Sequence, residues 1–303
     1  MIEDPSSARA LDEDDSTAAA TTSDGKTLLS PRETHFDTEE PYYLRWHGHH
    51  RFFANGRIVV HQTQWKYSAA TWVLITSLVG GYVHFVSLAG LSTILIAVIA
   101  VLYCNVLVWF AFTAFRDPGF VPQRYDQLVQ AEIDPARFCT VCLINKPPRR
   151  SHCKSCNCCV DAFDHHCPWT GNCVGRRNYR SFMCFLLACA TAALFACITL
   201  VWFAIDKCFV QHVPFHAFFQ QFWIVPPLIY VTLAASCFLV GFLVYHCGLI
   251  SRQLTTNELL RLQTPAHAPT VQVPTTSTYR NWVFFFTAPI PPSKLLHTPS
   301  PIV

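Results

Sequence analysis

Charged residues are scarce in this sequence, and over long stretches they are absent. Only 14% of the 303 residues are Asp, Glu, Lys or Arg, whereas 51% are hydrophobic. No charge occurs in residues 67–115, 182–205 or 222–250. A helix needs about 20 apolar residues to cross the hydrocarbon core of a bilayer, and these stretches lack the polar face of a helix on a soluble protein. The sequence therefore predicts an all-α integral membrane protein with four transmembrane helices, two of them in residues 67–115 on either side of a turn near 87–90.

Large apolar residues are few in the first 40 positions, where eleven acidic residues outnumber three basic ones. Such a segment cannot bury enough surface to order itself, so we expect a disordered acidic tail. It lacks the pattern of a cleavable signal peptide and that of a myristoylation site. Residues 41–66 are aromatic and basic, and they predict a juxtamembrane segment with a β-like stretch at 51–61. We expect its histidines at 47–50 to pack at the interface rather than to bind a metal.

Basic residues are unevenly distributed among the predicted loops. Residues 116–181 carry ten Lys or Arg, the turn near 87–90 carries none, and the loop 206–221 has only Lys207. Loops rich in Lys and Arg tend to stay in the cytosol. We therefore expect residues 116–181 and both termini, including the tail 251–303, to face the cytosol. A reducing compartment disfavours disulfides.

Cysteine and histidine are concentrated between Cys139 and Cys173, which hold eight of the fifteen cysteines of the chain. Two Cys-x2-Cys pairs, at 139/142 and 153/156, can each wrap one tetrahedral ion. With three histidines the segment offers eleven soft or borderline donors, whereas two zinc ions need eight. The surplus indicates that this segment does more than hold structural metal ions.

The run Asp164-His165-His166-Cys167 supplies the groups that nucleophilic catalysis needs. Only a thiolate attacks, a nearby imidazole can accept the thiol proton, and a carboxylate can orient that imidazole. In an extended segment His165 and Cys167 share one side while His166 points to the other. The spacing therefore suggests that His165 serves Cys167 and that His166 serves a metal. A scaffold that only binds zinc and a disulfide-rich loop are the alternatives that spacing alone leaves open.

A long ordered set of motifs resembles the cysteine-rich domain of the DHHC protein S-acyltransferases, the palmitoyltransferases. The matching residues are Cys139, Cys142, Lys146-Pro147, His152-Cys153, Cys156, Cys159-Val160, Asp164 to Trp169, Asn172 to Gly175, Asn178-Tyr179 and Phe182. The resemblance implies two structural zinc ions in interleaved Cys3His sites. The first would be held by Cys139, Cys142, His152 and Cys159, and the second by Cys153, Cys156, His166 and Cys173. Cys158 departs from the family pattern and is open to interpretation as a spare thiol, a site of acylation or oxidation, or a competing ligand of the first zinc.

Three further motifs flank the cysteine-rich segment. Asp117-Pro118-Gly119 resembles the DPG motif of the family and is also a good local turn. Thr255 to Glu258 matches the TTxE motif, and its spacing is also that of a capping box at a helix start. The resemblance implies that Thr256 helps to hold Asp164. It also implies that Asn281 packs the tail onto the core, while Ala288 stands where the family usually has glycine.

The resemblance implies an enzyme that works in two steps. Cys167, deprotonated by His165 with Asp164 behind it, would take a long-chain acyl group from an acyl-CoA and pass it to a cysteine of a membrane-associated protein. Trp169 would lie near the mouth of the acyl cavity. The expected contacts for the CoA phosphates are the basic residues Lys146, Arg149, Arg150, Arg176 and Arg177, although a basic surface facing anionic lipid is an equal alternative for each.

The motifs also bear on an alternative function and on the expected partners. A catalytically silent zinc-bearing membrane scaffold is the alternative, and the intact set of Asp164, His165 and Cys167 argues against it. The P-I-P-P-S segment at 289–293 and the earlier F-F-A-N-G-R stretch at 52–57 resemble the branch that acylates Ras-type small GTPases. This makes those GTPases candidate substrates and an accessory subunit a candidate partner. Nucleic acid is not an expected partner. We expect an endomembrane location, Golgi or ER, rather than the plasma membrane.

Overall fold

The computed structural model describes residues 40–123, 138–146, 148–264 and 276–297. The expected disordered tail lies outside these residues apart from Glu40.

Seven α-helices follow one another in the described residues. They are α1 Trp65–Leu88, α2 Thr93–Ala114, α3 Tyr179–Ile205, α4 Phe215–Gln221, α5 Val225–Arg252, α6 Thr256–Leu262 and α7 Thr278–Thr287. Four of them, α1, α2, α3 with its continuation to Val210, and α5, are long and apolar enough to cross a membrane. The prediction of four transmembrane helices is confirmed. The expected loop 206–221 contains a π-helical turn, Asp206–Val210, and then α4.

Helix α3 packs against both α2 and α5, and α1 packs against α2 and α5. Aromatic side chains fill the end of this bundle farthest from the cysteine-rich segment. Phe85 of α1 meets Phe203 of α3 edge to face at 5.0 Å, and both rings are buried. Ser92 caps α2, accepting a hydrogen bond from the backbone of Ile94. Prolines 226 and 227 stand in the first turn of α5, where a missing N–H costs no helical hydrogen bond.

The segments between the helices form short antiparallel strands. They are β1 His50–Phe53, β2 Ile58–His61, β3 Phe120–Val121, β4 Phe138–Cys139, β5 Ile144–Asn145, β6 Ser151–Cys153, β7 Cys158–Val160, β8 His165–Cys167 and β9 Asn172–Val174. Strands β1 and β2 form a hairpin where the β-like stretch 51–61 is expected. Strand β7 lies between β3 and β6, while β4 pairs with β5 and β8 with β9.

Two asparagines fasten the β8–β9 hairpin to the end of α2. The side chain of Asn172 donates to the carbonyl oxygens of Ala114 (3.0 Å) and Arg116 (2.9 Å). Asn178 donates to the carbonyl of Thr113 (3.1 Å). The last carbonyls of a helix have no partner within it, so these amides satisfy the end of α2. They thereby place the hairpin directly at the end of a membrane-spanning helix.

Candidate active site and zinc centres

Two groups of cysteine and histidine side chains come together between α2 and α3. Each group contains three cysteines and one histidine, and its ligand atoms all lie within 4.8 Å of one another. The first comprises Cys139, Cys142, His152 and Cys159, and the second Cys153, Cys156, His166 and Cys173. Three thiols and an imidazole, largely buried, form the donor set that structural zinc prefers. Both groups fit zinc, as the family resemblance implies.

The strand geometry explains why the two groups interleave. In β6 the neighbours His152 and Cys153 lie on opposite faces, because side chains alternate along a strand. His152 thus joins the first group and Cys153 the second. Each Cys-x2-Cys pair is followed by a left-handed residue, Leu143 (φ 54°) and Asn157 (φ 51°). These residues turn the chain back after each pair.

Cys158 lies beside the second group rather than the first. It is fully buried and stands directly opposite Cys153 in the register of β6 and β7, and burial together with the neighbouring Cys156 thiol raises its pKa. Its proximity to the second group weakens the interpretation of Cys158 as a competing ligand of the first zinc.

Groups from the juxtamembrane segment support the zinc ligands. The Nδ1 atom of His166 faces the sulfurs of its group, and its Nε2 is hydrogen-bonded to the side chain of Gln64, the residue before α1. Such an outer contact selects the tautomer of a ligating histidine. His61 lies near Cys156 and His50, but both of its nitrogens have partners. Nδ1 accepts from the backbone of Gln64 (3.2 Å), and Nε2 donates to the carbonyl of Ser155 (3.0 Å). His61 therefore acts as a packing residue rather than as a metal ligand.

Strand β8 presents the candidate catalytic residues. Asp164 immediately precedes it, and the Nδ1–H of His165 donates to Oδ2 of Asp164 at 2.6 Å. The other ring nitrogen of His165 is left for Cys167, and the two side chains affect each other: Cys167 raises the pKa of His165, and His165 lowers the pKa of Cys167. The register places His166 opposite Cys173, a member of its own zinc group. His165 and His166 thus have the separate contacts that an extended segment predicts.

Thr256, at the start of α6, also holds the carboxylate of Asp164, through two hydrogen bonds. Its backbone N–H donates to Oδ1 at 2.7 Å, and its hydroxyl donates to Oδ2 at 2.9 Å. Thr255 forms a capping box with Glu258, as the spacing suggests. The TTxE motif is therefore both a helix start and an anchor for Asp164.

The electrostatics of this set favour a charged pair. Burial disfavours the imidazolium, but hydrogen bonds with Asp164 and Cys167 outweigh it and raise the pKa of His165 to about 9. Burial likewise disfavours the thiolate, but the hydrogen bond from His165 lowers the pKa of Cys167 below its ordinary value. The pKa of Asp164 is also lowered, since the bonds from His165 and Thr256 overcome its burial. The arrangement therefore favours a Cys167 thiolate beside a His165 imidazolium.

Ion pairs hold the surrounding motifs together. Asp117 of the DPG motif accepts from the backbone of Gly119 at 2.8 Å, from Arg177 at 2.5 Å and from Ser293 at 2.5 Å. Arg149 pairs with Glu258 of the TTxE motif at 2.9 Å. The DPG motif, the TTxE motif and the tail are thus joined to the cysteine-rich segment through buried or half-buried arginines.

The four arginines expected to contact CoA all line one cavity of about 640 Å³. Arg150 is paired there with Asp161 at 2.8 Å, and Lys294 pairs with the same carboxylate. The cavity lies between the cysteine-rich segment and the tail, and its lining does not include Cys167 or Trp169. Trp169 lies in a 3₁₀ turn after β8 with 61% of its surface exposed.

Asn281 of α7 anchors the tail. It is buried, and its side-chain amide donates to the carbonyl of Ser251 near the end of α5 (2.8 Å). Ala288 follows α7 with φ −58° and ψ 132°. This conformation is ordinary for any residue, so the absence of glycine there strains nothing.

Two contributors to the site belong to none of the sequence motifs. Gln64 supports His166, and His246 of α5 lies against the ring of His165. Only His246 carried a signal, as an isolated histidine near the end of an uncharged stretch.

Comparison with known proteins identifies the same segment. The DHHC palmitoyltransferase family matches residues 132–263. The chain is 30% identical over 271 residues to "Probable protein S-acyltransferase 2" of Arabidopsis thaliana, covering 72% of this chain and 61% of that protein. It is 31% identical over 249 residues to "Palmitoyltransferase ZDHHC18" of Homo sapiens, covering 70% and 61%. For "Protein S-acyltransferase 8" of Arabidopsis thaliana the identity is 32% over 203 residues, covering 57% and 49%. The chain thus spans about three fifths or less of the length of these relatives.

Proposed function

We propose that this chain, whose residues 132–263 match the DHHC palmitoyltransferase family, transfers a long-chain acyl group from acyl-CoA to cysteine thiols of membrane-associated proteins. One observation carries the proposal: an anchored carboxylate orients His165, and His165 lowers the pKa of the Cys167 thiol two residues along the same strand. Nucleophile, base and orienting group in this order are what covalent acyl transfer requires.

In the first step the Cys167 thiolate attacks the thioester carbonyl carbon of acyl-CoA. A new carbon–sulfur bond forms, and the carbonyl electron pair moves to oxygen. The tetrahedral intermediate collapses, the bond to the CoA sulfur breaks, and His165 returns its proton to the departing thiolate. In the second step a substrate cysteine gives its proton to His165 and takes the acyl group. Two thioesters of similar energy are exchanged, so positioning and thiolate formation are the main tasks of the protein.

The two Cys3His groups would hold zinc, and zinc there supplies structural rigidity rather than chemistry. Its effect reaches Cys167 through β8, because His166 is the neighbour of both His165 and Cys167 in the chain. Zinc bound to His166 would hold β8 extended, and in an extended strand His165 and Cys167 lie on the same side.

The basic cavity is the proposed site for the CoA phosphates. Six of its lining residues are cationic and one, Asp161, is acidic; the cations are Arg149, Arg150, Arg176, Arg177, Arg180 and Lys294. Guanidinium groups bind phosphate oxygens through paired hydrogen bonds. The existing ion pairs would hold several of these arginines in place before the ligand arrives. Trp169 is proposed to lie at the mouth of the acyl cavity.

The setting of the reaction is proposed from the sequence. The ten basic residues of 116–181 support a cytosolic active site, where acyl-CoA is found. Small GTPases are the proposed substrates and an accessory subunit a proposed partner, both on the strength of the short motifs near the hairpin and in the tail. An endomembrane is the proposed location.

The test is incorporation of a fatty acyl label into the full-length protein from labelled acyl-CoA. We expect a hydroxylamine-sensitive label in the wild-type protein and none in Cys167→Ser, because an alcohol is a far poorer nucleophile at neutral pH. Cys104→Ser, which removes an exposed thiol of α2, is the matched control and should label normally. Wild-type levels of label on Cys167→Ser would move the nucleophile elsewhere, with Cys158 the first residue to examine.

A further inference from the structure

His246 is fully buried in α5 beside the candidate catalytic residues. Its ring lies 6.0 Å from that of His165 and 5.1 Å from that of Phe182. Phe182 lies 5.2 Å from His165 in turn, so the three rings pack together. Cys167 belongs to the same buried cluster as Phe182. His246 therefore packs against His165 and against a phenylalanine of the buried cluster that contains Cys167.

One nitrogen of His246 has a partner and the other has none among the described residues. Nδ1 lies 3.1 Å from the hydroxyl of Tyr179, whereas Nε2 is buried without a hydrogen-bond partner. In the described part of the chain the Tyr179 hydroxyl makes its hydrogen bond with His246. If the hydroxyl donates to Nδ1, its own hydrogen is satisfied, and the imidazole proton then resides on Nε2. Nε2 is thus a buried donor without an acceptor.

A buried donor without an acceptor costs free energy, and such groups are rare enough to require an explanation. Acyl transfer creates a new acceptor at this site, because the carbonyl oxygen of the thioester becomes an oxyanion. Donors placed in advance for such an oxygen accelerate acyl transfer strongly. Among the described residues no other acceptor meets this N–H.

We propose that the Nε2–H of His246 donates a hydrogen bond to the thioester oxygen as Cys167 attacks it, with Tyr179 fixing the tautomer. The inference rests on the acyl transfer proposed above. The thiolate sulfur forms the new bond to carbon, the electron pair goes to the oxygen, and His246 keeps its proton throughout. When the CoA sulfur leaves, the pair returns to re-form the carbonyl. His246 is thereby a catalytic residue distinct from the base His165.

The test compares two reactions of Cys167 in the full-length protein. Acylation by palmitoyl-CoA passes through an oxyanion, whereas alkylation by iodoacetamide needs the same thiolate but forms none. Both are followed by mass spectrometry of the peptide that contains Cys167. In His246→Phe we expect acylation to slow by about 10²–10³-fold, while alkylation stays within about twofold of wild type. Ser236→Ala is the control: Ser236 is a buried polar residue earlier in the same helix, its hydroxyl donates to the carbonyl of Thr232 within α5, and its loss should alter neither rate.

A pair of amide variants tests the position of the donor. His246→Gln places an N–H near the former Nε2, whereas the shorter His246→Asn reaches only the former Nδ1. We expect the Gln variant to acylate at least about tenfold faster than the Asn variant. Equal rates for the two would overturn the proposal, and they decide the matter even if the Phe variant loses zinc or unfolds.

The remaining outcomes also separate the hypotheses. If acylation and alkylation fall together in His246→Phe, His246 orients His165 and the oxyanion role is wrong. If acylation is unaffected, the residue is structural. A wild-type protein that is not acylated at Cys167 would instead refute the proposed function itself, and this inference with it.

Discussion

Replacing His165 or His166 by alanine removes the same side chain at adjacent positions, yet the two changes should have different consequences. His165 is bonded to Asp164 and Cys167, whereas His166 faces the sulfurs of the second zinc group. His165→Ala should therefore retain about two zinc ions per chain, and His166→Ala should lose the second ion. Loss of structural zinc costs folding free energy on the order of 10 kcal/mol in small zinc peptides, so His166→Ala should also lose its monodisperse state.

The rate of His165→Ala follows from the pKa of Cys167. In the wild-type protein the imidazolium lowers the pKa of this thiol, and the pKa of His165 itself is raised to about 9. The charged pair should therefore persist from neutral pH to about 9, and the acylation rate should vary little there. Without the imidazole only burial remains, and burial raises the pKa of Cys167. The thiolate fraction then drops, and we expect acylation at pH 7 to slow by about 10²–10⁴-fold, the usual worth of such a base.

The same argument predicts the pH profile of the variant. Below its pKa a thiol gains about tenfold in thiolate for each pH unit, and the ordinary thiol pKa is about 8.5. Acylation by His165→Ala should therefore rise about 50- to 100-fold between pH 6.5 and 8.5, the higher figure applying if burial raises the thiol pKa well above 8.5, while the wild-type rate stays nearly flat. His166→Ala should not recover at any pH. The measurements are zinc content and single-turnover acylation from pH 6.5 to 9. Equal zinc loss in the two variants, or a flat profile for His165→Ala, would refute the assigned roles.

Three further predictions concern the groups around this pair. Thr256→Val keeps the shape of the side chain but removes one hydrogen bond to the Asp164 carboxylate, worth about 1.5–3 kcal/mol for a charged acceptor. Single-turnover acylation should slow at least about tenfold with zinc content unchanged. An unchanged rate would show that the backbone N–H of residue 256 is sufficient to hold Asp164. Cys142→Ala should lose zinc and sample homogeneity together, as seen by metal analysis and size exclusion, and full activity without bound zinc would contradict the metal assignment. Arg176→Ala should raise the KM for acyl-CoA about tenfold, equivalent to about 1.4 kcal/mol. The control is Arg261→Ala, which lies outside the cavity lining. An equal effect of both variants would favour a general charge effect over a phosphate site.

Local patterns in the sequence were sufficient for the membrane helices and for the separate roles of His165 and His166. Uncharged stretches of sufficient length can cross a bilayer only as helices, and all four appear in the structure. The alternation of a strand separates His165 from His166, because neighbouring side chains point to opposite faces. These features depend on residues close together in the chain, so spacing alone carries the information. The ligand sets themselves came from the family resemblance, which the two groups in the structure match.

Contacts between distant parts of the chain were decided only by the tertiary structure. Nothing in the spacing pairs Arg149 with Glu258 or places Gln64 against His166, since these partners are about 100 residues apart and no periodicity relates them. The arginines could be identified as basic, but which carboxylate each one binds depends on how the hairpins dock on α2 and α3. His246 shows the same limit most clearly. As an isolated histidine in an apolar stretch it is equally consistent with lipid contact, and only the packing of α5 against α3 brings its free nitrogen into the cluster that contains Cys167.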